Sequence, residues 1–286
     1  MTSTAGSQTP LASAVTRAAV VTHGKPEQIG SGLARLQAVA AEHDVALVFP
    51  PEEAEKHGVL ATTDLSTAQL AVVLGGDGTM LRALTRFLGT GVPVIGVNFG
   101  RVGFLSSMGR RDLESGLARV FAGEYDVVAL PTLEVDHPDG AGRAVNDAVV
   151  ASASLGRMVE LELAVGGERL GTTPCDGIIC ATPSGSTAYN LSNGGPVVVW
   201  GLEAIALTWI AAHSLQARPL VIPAGADIIV WNRTPDVEVG VLVDGMRVAS
   251  LGKADRAVIR IGAERSLLAT LPEATFVRRY RQSFAS

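Results

Sequence analysis

From Arg17 to about Ala122 short β-branched runs alternate with longer helical segments, and no other feature of the chain restricts its fold so narrowly. RAAVVTHG reads as a strand, and KPEQIGSGLARLQAVAAEH, with a proline near its start and apolar residues at helical spacing, as the helix after it. DVALVF, QLAVVLGG and GVPVIGVNFG repeat the strand pattern, with TMLRALTRFL and RRDLESGLARVFAG as further helices. Such near-continuous apolar strands predict a parallel sheet covered on both faces, because a strand with one wet face alternates instead.

After Pro131 the texture changes. LEVDHP, RAVNDAVVAS, MVELELAVGGERLGTT, DIIVWNR, VEVGVLVDGMRV and RAVIRIG are short alternating stretches joined by Gly, Asp and Asn turns. VGGER between two such runs is the clearest hairpin signal. The expected fold class is therefore α/β plus β. A Rossmann-like α/β nucleotide-binding domain is expected over 15–130, rejoined by the basic, aromatic segment within 265–286, and a β-rich, sandwich-like domain over 131–264. Residues 1–14 read as a frayed, disordered tail, lacking the basic and long apolar regions of a signal peptide.

A formal net charge of -5 with 18% charged residues argues against nucleic acid or an anionic membrane as the main partner and for a small molecule. PVVVWGLEAIALTWIAA is the one membrane candidate, and Glu203 and its interior glycine break it below the roughly 20 clean apolar residues a span needs. Cys175 and Cys180 are the two cysteines, too few for a disulfide framework or a repeated zinc spacing, which fits a reducing, cytoplasmic setting.

The chemistry is expected at two loops. In LGGDGTMLRAL a strand runs into Gly75, Gly76, Asp77, Gly78 and Thr79 and then a helix, which places backbone N–H groups and a positive helix end at one point, an anion site. Glycines there allow close approach of phosphate and positive φ, and the Thr79 hydroxyl is expected to cap the helix. Asp77 would repel a phosphate unless it takes a proton from a nucleophile, holds Mg²⁺ or binds a ribose hydroxyl. A plain strand-to-helix turn is the bland alternative. The second loop, CDGIICATPSGSTAYNLSNGGP, lays out Thr182, Ser184, Ser186, Thr187, Tyr189, Asn190, Ser192 and Asn193, a set suited to sugar, amide and phosphate. An ordinary hydroxyl-rich turn region is the alternative there.

GGDGT at Gly75 to Thr79, NFGRVGFLS at Asn98 to Ser106, VND at Val145 to Asp147, DGIICATPSGSTAY at Asp176 to Tyr189 and HSLQARPLVIP at His213 to Pro223 occur in that order. Together they resemble the NAD kinases over nearly all of the chain after the tail. The resemblance implies transfer of the γ-phosphoryl of ATP, or of polyphosphate, to the 2′-hydroxyl of the adenosine ribose of NAD, giving NADP. It implies Mg²⁺ as divalent cation, with its ligands unassigned, and a homodimer or homotetramer. Asp77 would be the base, and Gly75, Gly76, Gly78 and Thr79 would hold ATP phosphates.

NAD would meet Asp77, Gly78, Arg82, Phe104 against the adenine, Asn146, Asp147, Asp176, Ser184, Thr187, Ala188, Tyr189 and Ser192, with Arg157, Ala211 and His213 at its edges. Four positions depart from the family pattern: Asp147 where Glu is usual, Met246 where Gln follows Asp-Gly, and Trp209 and Ala212 where prolines precede His-Ser. Lipid kinases of the diacylglycerol and sphingosine type share the GGDG loop and are the rival enzyme reading. A catalytically silent NAD(P)-binding regulator is the rival outside enzymes.

Overall fold

The computed structural model describes residues 14–100, 103–154 and 156–284. The chain divides into two compact units, 1–129 with 266–286, and 130–265. All but the last residue of the expected tail, together with Arg101 and Val102 of the NFGRVGFLS stretch, lies outside the described residues.

In the first unit the strands β1 (Arg17–Thr22), β2 (Ala46–Val48), β3 (Leu70–Gly75) and β4 (Val94–Asn98) pair in parallel in the order β4-β3-β1-β2. β5 (Met108–Gly109) pairs with β4. Every residue of β3 is buried, as a strand covered on both faces requires. Alternate residues Ala18, Val20, Val72, Leu74, Ile95 and Val97 pack with Leu36 and Val39 of α1 (Gly32–Glu42) and Leu113, Leu117 and Val120 of α4 (Leu113–Phe121). α3 (Asp77–Arg86) buries Met80, Ala83 and Leu84.

Two local departures have plain causes. The first expected helix opens as a short 3-10 turn, Pro26–Gln28, and restarts at Gly32 because Gly30 takes φ +50°. A helix that the apolar periodicity did not signal, α2 (Pro51–His57), starts on a proline and stops at Gly58 in the left-handed region. Its polar run PEEAEKH shows little apolar stripe.

The order β4-β3-β1-β2 reverses direction between β1 and β3. In parallel sheets the crevice beyond the carboxyl ends of the strands at such a reversal is where ligands bind. The loops after Thr22 and Gly75 meet there.

The second unit holds β8 (Asp147–Ser152), β11 (Gly177–Ala181), β12 (Ala204–Ile210), β13 (Leu220–Pro223), β15 (Val239–Val243) and β16 (Met246–Leu251), an antiparallel sheet in the order β13-β12-β11-β8-β15-β16. A second antiparallel set runs β10 (Glu168–Cys175), β9 (Val159–Val165), β14 (Ile228–Asn232) and the first part of β17 (Arg256–Thr270). β6 (Asp126–His137) and β7 (Gly140–Ala144) form a hairpin. Ile178, Cys180, Ile205, Leu207, Val239 and Val241 of the first set share one core with Leu161, Leu163, Ile228, Val230 and Ile259 of the second. That is the packing of a sandwich. The apolar stretch from Pro196 to Ala212 supplies β12 to this core, and no helix among the described residues is long and apolar enough to cross a membrane.

Candidate functional site

β3 runs buried to Gly75, and the chain enters α3 at Asp77 with Gly76 as its N-cap. None of Gly75, Gly76 and Gly78 has positive φ, so the expectation of left-handed backbone at this turn does not hold. What these residues contribute is the missing side chain. A Cβ on Gly75 would lie 2.5 Å from Thr79 Oγ1, whereas one on Gly76 or Gly78 would meet nothing within 4 Å. The first glycine lets helix close on strand, and the other two leave the turn's backbone bare. Thr79 is buried against Gly75 and makes no cap, because Gly76 holds that position and the helix has no side-chain cap.

A cleft of about 570 Å³ lies over the turn. Gly75, Gly76, Gly78, Thr79 and Arg82 line it from one side and His23, Lys25 and Gln28, beyond β1, from the other. The Arg82 guanidinium donates to the Thr22 carbonyl at 2.8 Å. Beneath it Thr22 Oγ1 donates to Glu53 Oε2 at 2.6 Å, and Lys56 Nζ donates to both Glu53 oxygens at 2.8 Å. His57, with Nε2 2.9 Å from Thr22 Oγ1, is held below its ordinary pKa by burial, against the pull of Glu53. Lysine, arginine and histidine thus gather where β1 ends, a suitable environment for phosphate. His23, Lys25 and the Glu53–Lys56 pair escaped sequence reasoning. Only a basic residue in the loop after the first strand could have flagged them.

Asp77 is partly buried and turned away from the bare glycines. Phe104 N–H donates to its Oδ2 at 2.6 Å and Leu105 N–H to its Oδ1 at 3.1 Å. A Cβ on Gly103 would lie 2.1 Å from Oδ1, so only glycine admits this approach. The Phe104 ring is 6% exposed, edge-on to Phe276 at 5.1 Å and stacked on Phe284 at 6.1 Å, so the C-terminal helix (Phe276–Phe284) covers it. Arg279 of the same helix is 4% exposed and donates to the carbonyls of Phe104, at 2.9 Å, and Ser106. Burial pulls its guanidinium down to about 10, with the Asp77 charge opposing that shift.

In the second unit the Asp244 carboxylate accepts the N–H groups of Val145 and Asn146, each at 2.8 Å, and of Asp147 at 3.2 Å. Asp244 therefore fixes the VND turn from the β15–β16 hairpin, a role sequence reasoning missed. Asp147 is buried, and burial first, then the Asp244 charge, push its carboxyl up to about 6. Asn146 Oδ1 accepts from Ser184 Oγ at 3.2 Å. Gly185 sits against Asn146, whose carbonyl oxygen would be 2.0 Å from an added Cβ.

The hydroxyl-rich loop is spent largely on itself. Thr182 Oγ1 donates to Val145 O at 2.7 Å, Ser186 Oγ to Pro183 O at 2.7 Å, and Thr187 Oγ1 to Ser184 O at 3.1 Å. Asn190 accepts from Thr208 Oγ1 at 2.6 Å and donates to Ser186 and Pro196 carbonyls. Thr182, Ser184, Ser186 and Asn190 are buried, Thr187 and Ala188 half-buried, and Tyr189 and Ser192 exposed.

Asp176, Ala211, His213 and Arg157 are exposed, and the first three lie close together elsewhere, with Asp176 N–H donating to Ile210 O and His213 N–H to Pro174 O. Gly177 pairs with Ala151 and Ile210 at one end of β11, and Ala181 with Asp147 and Ala206 at the other. Asp176 and Ala211 thus lie at the first end and Asn146, Asp147 and Ser184 at the second, roughly 13 Å of strand apart.

Cys175 and Cys180 are buried and unbonded, and burial pushes both thiols up to about 12, far from reactivity. Among the described residues no group of three or more His, Cys, Asp or Glu could hold a metal ion.

The model of the ATP-NAD kinase N-terminal domain matches residues 14–125, and that of the ATP-NAD kinase C-terminal domain matches residues 145–271. The chain belongs to the ATP-NAD kinase family. Among ATP-NAD kinase relatives, NAD kinase 2 of Streptomyces avermitilis is 40% identical over 262 residues, which cover 90% of this chain and 85% of the relative. The NAD kinase of Heliobacterium modesticaldum is 40% identical over 223 residues, 76% of this chain and 79% of its own.

An NAD kinase from Archaeoglobus fulgidus, solved in complex with ATP, superposes with a TM-score of 0.73 at 27% identity, covering 94% of this chain and 97% of that one. Yeast NADH kinase complexed with NADH reaches 0.83 at 23% identity, over 95% and 88%, a likeness of fold. These ATP-NAD kinase neighbours lend no support to a lipid kinase or a silent regulator.

Proposed function

We propose that this chain phosphorylates the 2′-hydroxyl of the adenosine ribose of NAD with ATP, giving NADP and ADP. The observation that carries the reading is a carboxylate, Asp77, at a bare glycine turn on the N-terminus of α3, with both its oxygens aimed by backbone N–H groups. Asp77 orients the ribose hydroxyl and accepts its proton as the oxygen attacks the γ-phosphorus and ADP leaves. The backbone of Gly75, Gly76, Gly78 and Thr79, with Arg82, Lys25 and His23, offsets charge on the donor phosphates.

NAD is held by Asn146, Asp147, Ser184, Thr187, Ala188, Tyr189 and Ser192, with Asp176, Arg157, Ala211 and His213 toward its other end, whereas the Phe104 ring, covered by the C-terminal helix, is not offered to the adenine. In this reading the first unit is the nucleotide-binding domain and the second the NAD-binding domain.

The donor set is not a Mg²⁺ cage. Asp77 is the one acid of the GGDGT turn, and both its oxygens are already engaged by N–H groups. Mg²⁺ would be held by ATP phosphates and water rather than by these side chains and would supply charge neutralisation there, as suits this cation. Exposed Leu220 and Val221 on the edge strand β13, with exposed Val199 and Leu202, support assembly into a homodimer or homotetramer. Two buried free thiols fit a cytoplasmic setting.

The test is NADP formation by purified protein with Mg²⁺ and NAD, comparing ATP with polyphosphate and wild type with Asp77→Asn. The variant is expected to lose about 10²-fold or more in kcat, the usual scale of general-base loss. Turnover equal to wild type removes Asp77 from the base role, and absence of NADP with every donor overturns the reaction.

A further inference from the structure

Arg279 lies on the C-terminal helix, far in sequence from the GGDGT turn, yet it is bound to the loop that holds Asp77. Its Nη1 donates to Phe104 O at 2.9 Å and to Ser106 O, its Nη2 to Ser107 Oγ at 3.1 Å and Thr270 Oγ1 at 2.9 Å, and its Nε to Ala274 O at 2.9 Å. The acceptors come from two stretches, 104–107 and 270–274. One planar side chain with five donors can join them, and an ammonium cannot.

The Phe104–Leu105 peptide decides what this does. Its carbonyl, Phe104 O, accepts from Arg279, and its N–H, that of Leu105, donates to Asp77 Oδ1 at 3.1 Å. Guanidinium, one amide and carboxylate are therefore in line, with the amide dipole oriented by the cation at one end and the anion at the other. Hydrogen bonds in such a chain polarise and strengthen one another. The neighbouring N–H, that of Phe104, takes Oδ2 of the same carboxylate. Burial of Arg279 at 4% exposure keeps water from replacing it, and the Asp77 charge acts against the drop in its pKa, as a coupled pair requires.

We propose that Arg279 is a positioning residue that aims Asp77 through the Phe104–Leu105 peptide, so that the C-terminal helix sets the geometry of proton transfer. The proposal rests on the reading of Asp77 as the base.

The experiment is a double-mutant cycle on the full chain: wild type, Arg279→Met, Asp77→Asn and the pair, with kcat, KM for NAD and ATP, and thermal midpoint for each. Arg279→Met is expected to lower kcat by about 10- to 100-fold, the scale of a misplaced catalytic group. KM for NAD should stay within about threefold, since uniform binding is untouched. In the Asp77→Asn background the same change should cost nothing further, because both substitutions disable one unit. Guanidinium at millimolar concentration should restore part of the lost kcat where sodium chloride at equal ionic strength does not.

An equal factor in both backgrounds, or wild-type kcat in Arg279→Met, overturns the proposal. Should that variant not fold, the cycle is run with Arg279→Lys and read by the same two criteria. Wild-type turnover in Asp77→Asn is a distinct failure, that of Asp77 as the base, whatever Arg279 does.

Discussion

Asp77 and Gly103 make a pair in which one side chain is possible only because the other is missing. Alanine at 103 would bring a Cβ within 2.1 Å of Asp77 Oδ1 and 2.6 Å of its Cγ. The obstructing group is the end of a short side chain that can rotate, so the relief is a turn of the carboxylate off the Phe104 and Leu105 N–H groups. Gly103→Ala is therefore expected to lower kcat by about 10-fold or more while moving the thermal midpoint little. Steady-state kinetics beside a melting curve decide it, and an unchanged kcat removes the constraint. The same scale shows why hydroxyl identity misleads: Thr182 and Ser186 have the chemistry of ligand contacts, and their hydrogen bonds are to Val145 and Pro183 carbonyls.

Elements were legible where the local code and the tertiary demand agree. VGGER is a two-residue hairpin between β9 and β10, with Gly166 at φ +58° and Gly167 at +89°, the pair of positive φ values a tight right-twisted hairpin needs. The β15–β16 hairpin is built likewise on Asp244 at φ +47° and Gly245 at +79°. Its aspartate has the further task of accepting three N–H groups of the VND turn.

Asp244→Ala loses those acceptors and places a Cβ residue without a polar side chain in the left-handed region, so it should cost about 2–4 kcal/mol of stability. Asp244→Asn should cost less, since asparagine tolerates that conformation and retains an acceptor. Urea unfolding of both, with KM for NAD, checks the order; an alanine variant as stable as wild type refutes the clamp. α2 was not legible because it buries just Ala54 of its apolar residues, beside Glu53, a carboxylate held by Thr22 and Lys56.

At the scale of the molecule each unit carries its own core, one built on parallel strands and helices, the other on antiparallel sheets. Burial at Asp147 gives stability a pH dependence opposite to that of most carboxylates. Its folded pKa is raised from 3.8 to about 6, so between those values the native state binds a proton that the unfolded chain has released. Stability then falls as pH rises through the interval, by up to about 3 kcal/mol, and the cost is fully present above it. Paired acids such as Glu114 and Glu273, held below their usual range by Arg35 and Arg119, act in the reverse sense at lower pH and are exposed. The difference between wild type and Asp147→Asn isolates the effect: the variant should gain stability near neutrality and little below pH 4. Parallel curves for the two proteins would show that the Asp147 carboxyl has the same pKa folded and unfolded, and would remove the effect.

The sequence by itself determined the parallel and antiparallel halves, the VGGER hairpin and the place of the glycine turn, because each follows from periodicity and backbone preference within a dozen residues. Only the tertiary structure decided that Asp77 is held by the loop at 103–105 and Arg279 by the same loop, that Glu53 and Lys56 lie under the cleft, and that Asp244 clamps Asn146 and Asp147. Those contacts join residues 27 to 175 positions apart. No local pattern encodes them, since hydrogen-bond partners across such separations are chosen by the packing of whole elements.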